Sequence, residues 1–487
     1  MPYHKPWFDA DVDELYVDTL RSLGAGIRVV SRWLNAVSVE ADGALLESIT
    51  RLPFVTDIIP VSSYTIPFPA ENSFGANNKS STSQYDYGPS LTQVSMLGID
   101  SLHNAGLDGT GILIGIMDTG FDTTHAAFTR LRSERLILHT RDFINDDSDV
   151  MDSLDIQRSH GTAVLSVLAG FDEGNLIGPA FGAQFALAKT EILPGEDQAE
   201  EDYWVAAAEW MESLGVDIIS SSLGYIDWYD TTQLDGRTAV ITLAADAAAA
   251  LGVVVVNAAG NEGNTTWRKV IPPADGLSVI AVGGVDSDSN VIGFSSRGPT
   301  ADGRIKPDVC ALGAGNYVAD YFGGYGFSSG TSFAAPLISG GIALLLQGHP
   351  DWTPDDVTQN LKRASSRAFG PDNAFGWGIP NFVRAYYGLP FEPEDRPSIE
   401  IIPQPAEDSV TFRILVPQAS NIVFSIHEIS GAEVIEWTRY VNEPSTVAIK
   451  WNGINHKGKR VASGIYICNL KTSDSNARGK FFFISRR

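Results

Sequence analysis

Cysteine is scarce in this chain. Cys310 and Cys468 are the only two among 487 residues, too few for a disulfide framework, and no Cys/His cluster has zinc-ligand spacing. The two lie in segments of different character, which predicts two buried free thiols. Positive charge is also in short supply: 34 Lys and Arg stand against 59 Asp and Glu, a formal charge of −25. That balance argues against nucleic acid or an anionic membrane as the main partner. Long apolar runs are missing too. No uninterrupted stretch reaches the roughly 18 residues that suggest a membrane span, and the longest candidate, 239–259, is broken by Thr242, Asp246 and Asn257. It reads as a helix followed by a strand. The opening Met-Pro-Tyr-His-Lys-Pro-Trp has no apolar core of the kind a signal peptide needs. What is present is ample core material, 44% apolar and 10% aromatic residues, enough for about three domains.

Residues 1–62 read as a small α+β unit: a helix over 13–23, an extended pair within 26–40, a second helix over 43–52 and a strand over 56–61. Residues 63–88, rich in Ser, Asn, Pro, Gly and Tyr, have linker composition. From 89 to 389 apolar runs alternate with helical segments. The runs 111–117, 185–189, 216–220, 253–257 and 279–282 are continuous in Val, Ile and other apolar residues. Strands of that kind are covered on both faces, which predicts an α/β domain around a mostly parallel sheet. A Pro- and acid-rich linker over 390–398 leads to short alternating strands over 399–487, with turns at Ser430-Gly431, Asn452-Gly453 and Lys457-Gly458. That pattern predicts a small β-sandwich.

Three residues in the α/β region carry chemistry. Asp118 ends the run 111–117 in Asp-Thr-Gly, and catalytic groups of open α/β sheets gather at the carboxyl ends of strands. Aspartic proteases use the same tripeptide in paired lobes, but no second copy occurs here. His160, in Ser-His-Gly-Thr, is the one histidine of eight that is expected to open a small-residue helix, and an imidazole is the natural general base near neutral pH. His125 reads as structural. Ser332, in Gly-Thr-Ser-Phe-Ala-Ala-Pro, is placed at the start of a long apolar helix, where backbone N–H groups favour a developing negative charge. An ordinary capping serine would look the same in isolation. Asn261, after the strand 253–257, carries an amide able to donate to an oxyanion; a turn-forming Asn is the plain alternative.

The order Asp118, His160, Ser332, each inside its own motif, resembles the subtilisin-like serine proteases, over about residues 85–388. The resemblance implies a three-layer subtilisin-like fold and hydrolysis of peptide bonds. Ser332 would be the nucleophile, His160 the base, and Asp118 the group that orients the imidazole. Asn261 would join the Ser332 N–H in an oxyanion hole. Ser222, Leu223 and Gly224 would form a strand that pairs with substrate backbone, and Ala259 and Gly260 a pocket wall. Glu262 would stand at the rim of that pocket with Trp267 or Ile271 as its floor, which predicts a weak preference for large apolar side chains. No cofactor is required. The family often holds calcium through an aspartate nine residues after the catalytic one, but that position is Ala127 here. Other calcium ligands remain open among Asp146, Asp147 and Asp149.

Residues 13–61 resemble the family's propeptide, a ferredoxin-like chaperone and inhibitor, whose first strand should precede Asp13. That shortfall implies a truncated natural N-terminus and a signal peptide lost with it. Residues 399–487 resemble the sorting domain of type IX secretion substrates and a related flagellar-hook-capping immunoglobulin-like module. The segments that match are Pro405-Ala-Glu-Asp-Ser-Val, 423–431, Trp451-Asn-Gly, 459–466 and Gly479-Lys-Phe-Phe-Phe-Ile, with Trp451 and Tyr466 as core. A generic binding module is the alternative for this domain. Together these imply a secreted or cell-surface zymogen that meets peptide substrates, its own propeptide and, through residues 399–487, a secretion machinery. A catalytically silent scaffold of the same fold is the competing reading, opposed by an intact set of motifs.

Overall fold

The computed structural model describes residues 9–64, 84–152, 155–193, 195–391, 397–402, 406–416, 419–442, 445–473 and 476–485. It divides into two compact units, one of Met1–Arg367 and Pro371–Pro390, the other of Ala368–Gly370 and Phe391–Arg487.

The first unit begins with helix α1 (Glu14–Leu23), capped by the Asp13 carboxylate on Leu15 N and closed by Gly24 in the left-handed region. Strands β1 (Gly26–Ser31) and β2 (Ala36–Glu40) form an antiparallel hairpin, followed by helix α2 (Gly43–Ile49). The strand expected over 56–61 does not form; this stretch is irregular. In a ferredoxin-like sheet the last strand pairs with a first strand preceding α1, and the described residues contain no such partner. Instead the chain pairs further on, where Ser63 and Tyr64 lie antiparallel to Asp197 and Glu196. Residues 65–83 of the expected linker lie outside the described residues. Its last residues are not linker: Tyr87 is buried, its hydroxyl 2.6 Å from His103 Nδ1, and Tyr85 packs edge-on against Phe181.

A seven-stranded sheet forms the centre of this unit. Its strands are β3 (Leu113–Asp118), β4 (Ile137–Asp142), β5 (Gln184–Lys189), β6 (Ile218–Ser221), β7 (Val254–Ala258), β8 (Ile280–Val285) and β9 (Val309–Leu312). They run in the order β9-β8-β7-β6-β3-β5-β4 with every neighbouring pair parallel. Both faces are covered, as the continuous apolar runs require. Helices α3 (Asp155–Ala169) and α6 (Thr331–Gly348) contribute to one core cluster, while α4 (Ala199–Ser213) and α5 (Val240–Ala250) contribute to a second. Among the described residues α6 is the one helix long and apolar enough to cross a membrane, yet 89% of it is buried inside the protein, as a core helix is. The subtilisin-like α/β fold expected from the sequence is the fold observed.

The second unit is a β-sandwich. One sheet orders β10 (Ser398–Ile402), β12 (Val410–Val416) and β15 (Ser445–Trp451). The other orders β11 (Ala406–Glu407), β17 (Asn476–Ile484), β16 (Gly464–Lys471), β13 (Ser420–Glu428) and β14 (Glu433–Val441). Strand β12 alternates buried and half-buried residues along its whole length, the signature of one covered face. Phe412, Phe424, Trp451, Tyr466, Phe481 and Phe483 fill the core. Both cysteines are buried free thiols, Cys310 on β9 and Cys468 on β16, and burial pushes their pKa values up to about 12 and about 11.

Candidate active site

Strand β3 delivers Asp118 at its last residue, fully buried, at the carboxyl end of the sheet. Its Oδ1 accepts from Thr119 N at 2.8 Å and Thr119 Oγ1 at 3.1 Å, and lies 2.8 Å from His160 Nδ1. Among the described residues its Oδ2 is buried with no hydrogen-bond partner. Such a carboxylate, cut off from water, fixes the ring that faces it.

His160 does not open its helix, as the sequence suggested. Among the described residues α3 already runs from Asp155, which puts His160 in the second turn. The small residues after it serve another purpose. A methyl group on Gly161 would fall 2.2 Å from Gly120 O and 3.0 Å from Asp118 Cβ. Only glycine lets α3 come close enough for the imidazole to reach the carboxylate. Thr162 then fastens the helix, its hydroxyl accepting from Asp122 N at 2.7 Å and donating to Arg158 O at 2.6 Å. His125 is structural: its Nδ1 accepts from Ala127 N and its Nε2 lies 2.8 Å from Gly324 O.

Ser332 is the second residue of α6. Pro336 stands four positions later and has no N–H to give the Ser332 carbonyl. Ser222 Oγ supplies the missing donor at 2.7 Å, while Ser332 Oγ lies 3.5 Å from Ser222 O. The ring of Phe333 sits 5.9 Å from the ring of His160, so the start of α6 and the middle of α3 meet at the imidazole.

Asn261 is tied by its carbonyl. Its Oδ1 accepts from Thr331 N at 3.0 Å and Thr331 Oγ1 at 3.1 Å, and Thr331 Oγ1 in turn accepts from Gly260 N at 3.1 Å. The exposed amide is thereby oriented with Nδ2 opposite the tie. Leu223 is buried, and its carbonyl is taken by Asn257 Nδ2 at 3.0 Å. Gly224 and Gly260 both face Ile271, whereas Ala259, expected as pocket wall, is fully buried among Val270, Ala274 and Ala281, its N–H given to Val282 O and its carbonyl taken by Ile271 N. The sequence reading missed Thr331 and Asn257 as supports. Thr331 stands inside a motif that was already legible, but Asn257 ends a valine run and gives no signal of its own.

The propeptide-like unit rests on α4. Glu209 accepts from Ser31 Oγ at 2.6 Å, Trp33 N at 3.2 Å and Arg32 N at 3.2 Å, while Asp202 takes Ser38 Oγ at 2.5 Å and Arg28 Nη1 at 3.3 Å. Burial pushes both carboxyls above the usual carboxylate range. Beyond it, Ser62 N donates to Gln198 Oε1 and Ser62 O accepts from Gln198 N, both at 2.8 Å. The edge segment they border is held by Glu200, which accepts from Ile192 N at 2.8 Å and Asp197 N at 3.0 Å. Burial, with the Glu191 carboxylate nearby, pushes Glu200 up to about 9.

Ala127 is buried and has no ligand atom. Asp146 pairs with Arg141, Asp147 caps Asp149 N, and Asp149 caps Met151 N. Among the described residues no group of three or more His, Cys, Asp or Glu side chains could hold a metal, and a hard cation needs several oxygens together.

A model of the peptidase S8 propeptide domain of Bacteroidota matches residues 7–77. Subtilisin E of Bacillus subtilis is 29% identical over 294 residues, covering 60% of this chain and 70% of that protein. Subtilisin of Bacillus pumilus is 29% identical over the same length, with 97% of it covered. Subtilisin-like protease SBT6.1 of Arabidopsis thaliana is 27% identical over 389 residues, and the chain spans about a third of its length. The subtilase family model matches residues 109–378, more than half of the chain and the whole of the region that carries Asp118, His160, Asn261 and Ser332. The chain belongs to the subtilase family, a serine endopeptidase with a propeptide domain.

Proposed function

We propose that this chain is the zymogen of a secreted or cell-surface endopeptidase that cleaves proteins through an acyl-enzyme on Ser332. With His160 Nδ1 committed to Asp118, Nε2 is the nitrogen left to take the Ser332 proton. Ser332 Oγ attacks the peptide carbonyl, and the resulting oxyanion is met by Asn261 Nδ2 and the Ser332 N–H at the start of α6. As the C–N bond breaks, His160 gives its proton to the departing amine. Water then enters, and the same imidazole removes its proton as it attacks the ester, releasing the acid and restoring Ser332. Ser222, Leu223 and Gly224 would pair with substrate backbone on one side and residues 196–198 on the other, a main-chain recognition that accepts any extended peptide. No cofactor enters this sequence of steps.

The antiparallel ladder of Ser63 and Tyr64 on Asp197 and Glu196 supports an inhibitory propeptide, whose tail would lie along the substrate edge until it is cut. The sandwich over 399–487 is read as an export or sorting domain that engages a secretion machinery, on its resemblance and its place at the end of the chain.

The observation that carries the catalytic reading is the 2.8 Å contact of His160 Nδ1 with Asp118 Oδ1. Treatment with a fluorophosphonate followed by peptide mapping tests it. Label on Ser332, lost in Ser332→Ala and slowed in His160→Ala, is expected; label elsewhere, or none, contradicts it. For the sandwich, a chain ending at Pro390 is expected to stay unexported in a host that exports the full chain, and equal export of both would contradict that role.

A further inference from the structure

The segment after Asn261 returns to the cleft between two glycines. Ile271 N donates to Ala259 O at 3.1 Å, and Tyr225 N to Pro272 O at 3.3 Å, so residues 271–272 lie stitched between Ala259–Gly260 and the segment 222–225, which follows β6 and is not itself a strand, contrary to the expectation from sequence. A methyl on Gly224 would fall 2.6 Å from both Ile271 Cδ1 and Cγ1, and one on Gly260 would fall 2.8 Å from Cγ2 and 3.0 Å from Cγ1. Carbon atoms pack at about 3.5–4.0 Å, so the isoleucine already fills the slot that the two glycines leave. Gly260 is further restricted to glycine by its φ of +104°. Val270, Pro272 and Ala274 on either side are buried, whereas Ile271 is only partly so. Of residues 270–274, Ile271 alone keeps part of its surface in solvent.

We propose that Ile271 closes the pocket for the side chain preceding the scissile bond, and that the enzyme therefore cleaves after glycine, alanine or serine rather than after large apolar residues. This rests on the peptidase reading of the site and reverses the preference expected from the apolar character of the loop alone. Two walls without Cβ atoms would admit an aromatic ring between them; with Cγ1, Cγ2 and Cδ1 of Ile271 standing against both walls, the room left suits a side chain no larger than about a methyl or hydroxymethyl group. A longer side chain would have to displace Ile271 against Gly224 and Gly260, and the peptide carbonyl would then lie out of reach of Ser332 and Asn261.

The test is a peptide series differing only at that position (Gly, Ala, Ser, Leu, Phe), cleaved by the native chain and by Ile271→Gly and Ile271→Ala, each enzyme first titrated with a fluorophosphonate. The native enzyme is expected to favour Ala over Phe by about 100-fold or more in kcat/KM. Ile271→Gly is expected to reverse that order, with Ile271→Ala between the two. Native cleavage after Phe as fast as after Ala, or an unchanged ratio in both variants while titration still counts one site per molecule, overturns the pocket assignment alone. Failure of the native chain to titrate overturns the peptidase reading, and the pocket with it.

Discussion

Ser222 Oγ donates to the carbonyl of Ser332 at 2.7 Å, in the place that the N–H of residue 336 would take if it were not proline. The first turn of α6 is thus completed from the segment that follows β6. The sequence places Ser222 in the segment expected to pair with substrate, and its hydroxyl also sets the height of Ser332 in the site. Ser222→Ala leaves that carbonyl without its donor, at a cost of about 1–3 kcal/mol. We expect kcat to fall by about tenfold or more with KM changed little, and Ser222→Thr to recover most of it. Equal kcat in native enzyme and Ser222→Ala would show that the bond does not position the nucleophile.

Gly161 sets the distance between α3 and β3. An added methyl 2.2 Å from Gly120 O must push the helix outward and stretch the contact between His160 and Asp118. Overpacking of this kind costs about 1–3 kcal/mol. Gly161→Ala is expected to lower Tm by several degrees and to abolish most peptide hydrolysis, whereas Ala163→Gly, two residues on, should lower Tm without comparable loss of activity. Thermal melts and turnover on one preparation check both; a fully active Gly161→Ala enzyme would contradict the packing argument.

Glu209 ties the propeptide-like hairpin to α4 through three donors on Ser31, Arg32 and Trp33. Removing it orphans two backbone N–H groups beside the buried Trp33. In a full-length chain carrying Ser332→Ala to prevent self-cleavage, Glu209→Ala is expected to raise amide exchange at residues 31–34 by tenfold or more. Unchanged protection there would mean the hairpin is held by other contacts.

Glu200 makes stability depend on pH. Its carboxyl is raised from 4.5 to about 9 in the folded chain, so folding takes up a proton across that interval. The stabilising share is complete below about pH 4.5 and is lost as pH climbs through about 9. One proton corresponds to about 1.4 kcal/mol per pH unit. Urea unfolding of the Ser332→Ala chain at pH 5.5, 7 and 8.5 should lose that slope when Glu200→Gln is added. An identical slope in both would show that Glu200 is ionised in the folded protein.

The proposed catalytic set was legible because each member sits in a short motif whose neighbours are forced by close approach: Gly161 by Gly120 and Asp118, Thr162 by Asp122, Thr331 by Asn261. Strand positions were legible from Val and Ile runs covered on both faces. What could not be read depends on distant partners. Residues 56–61 have the apolar pattern of a strand but no neighbour to pair with among the described residues, and the helix before His160 begins in a polar stretch that carries little periodicity. Ile271 was visible as a floor residue, yet its consequence appears only when Gly224 and Gly260, 36 positions apart in the sequence, close on either side of it.

The proposed catalysis stands on the formation of an ester at Ser332. Rapid mixing with a p-nitrophenyl ester of an alanine-terminated peptide measures it. We expect a burst of one equivalent of p-nitrophenol per fluorophosphonate-titrated molecule, followed by slower turnover, with a mass increase located on Ser332 when the mixture is quenched in acid. Linear release with no acyl group on Ser332 in the acid-quenched sample, in an enzyme that still cleaves peptides, would contradict it.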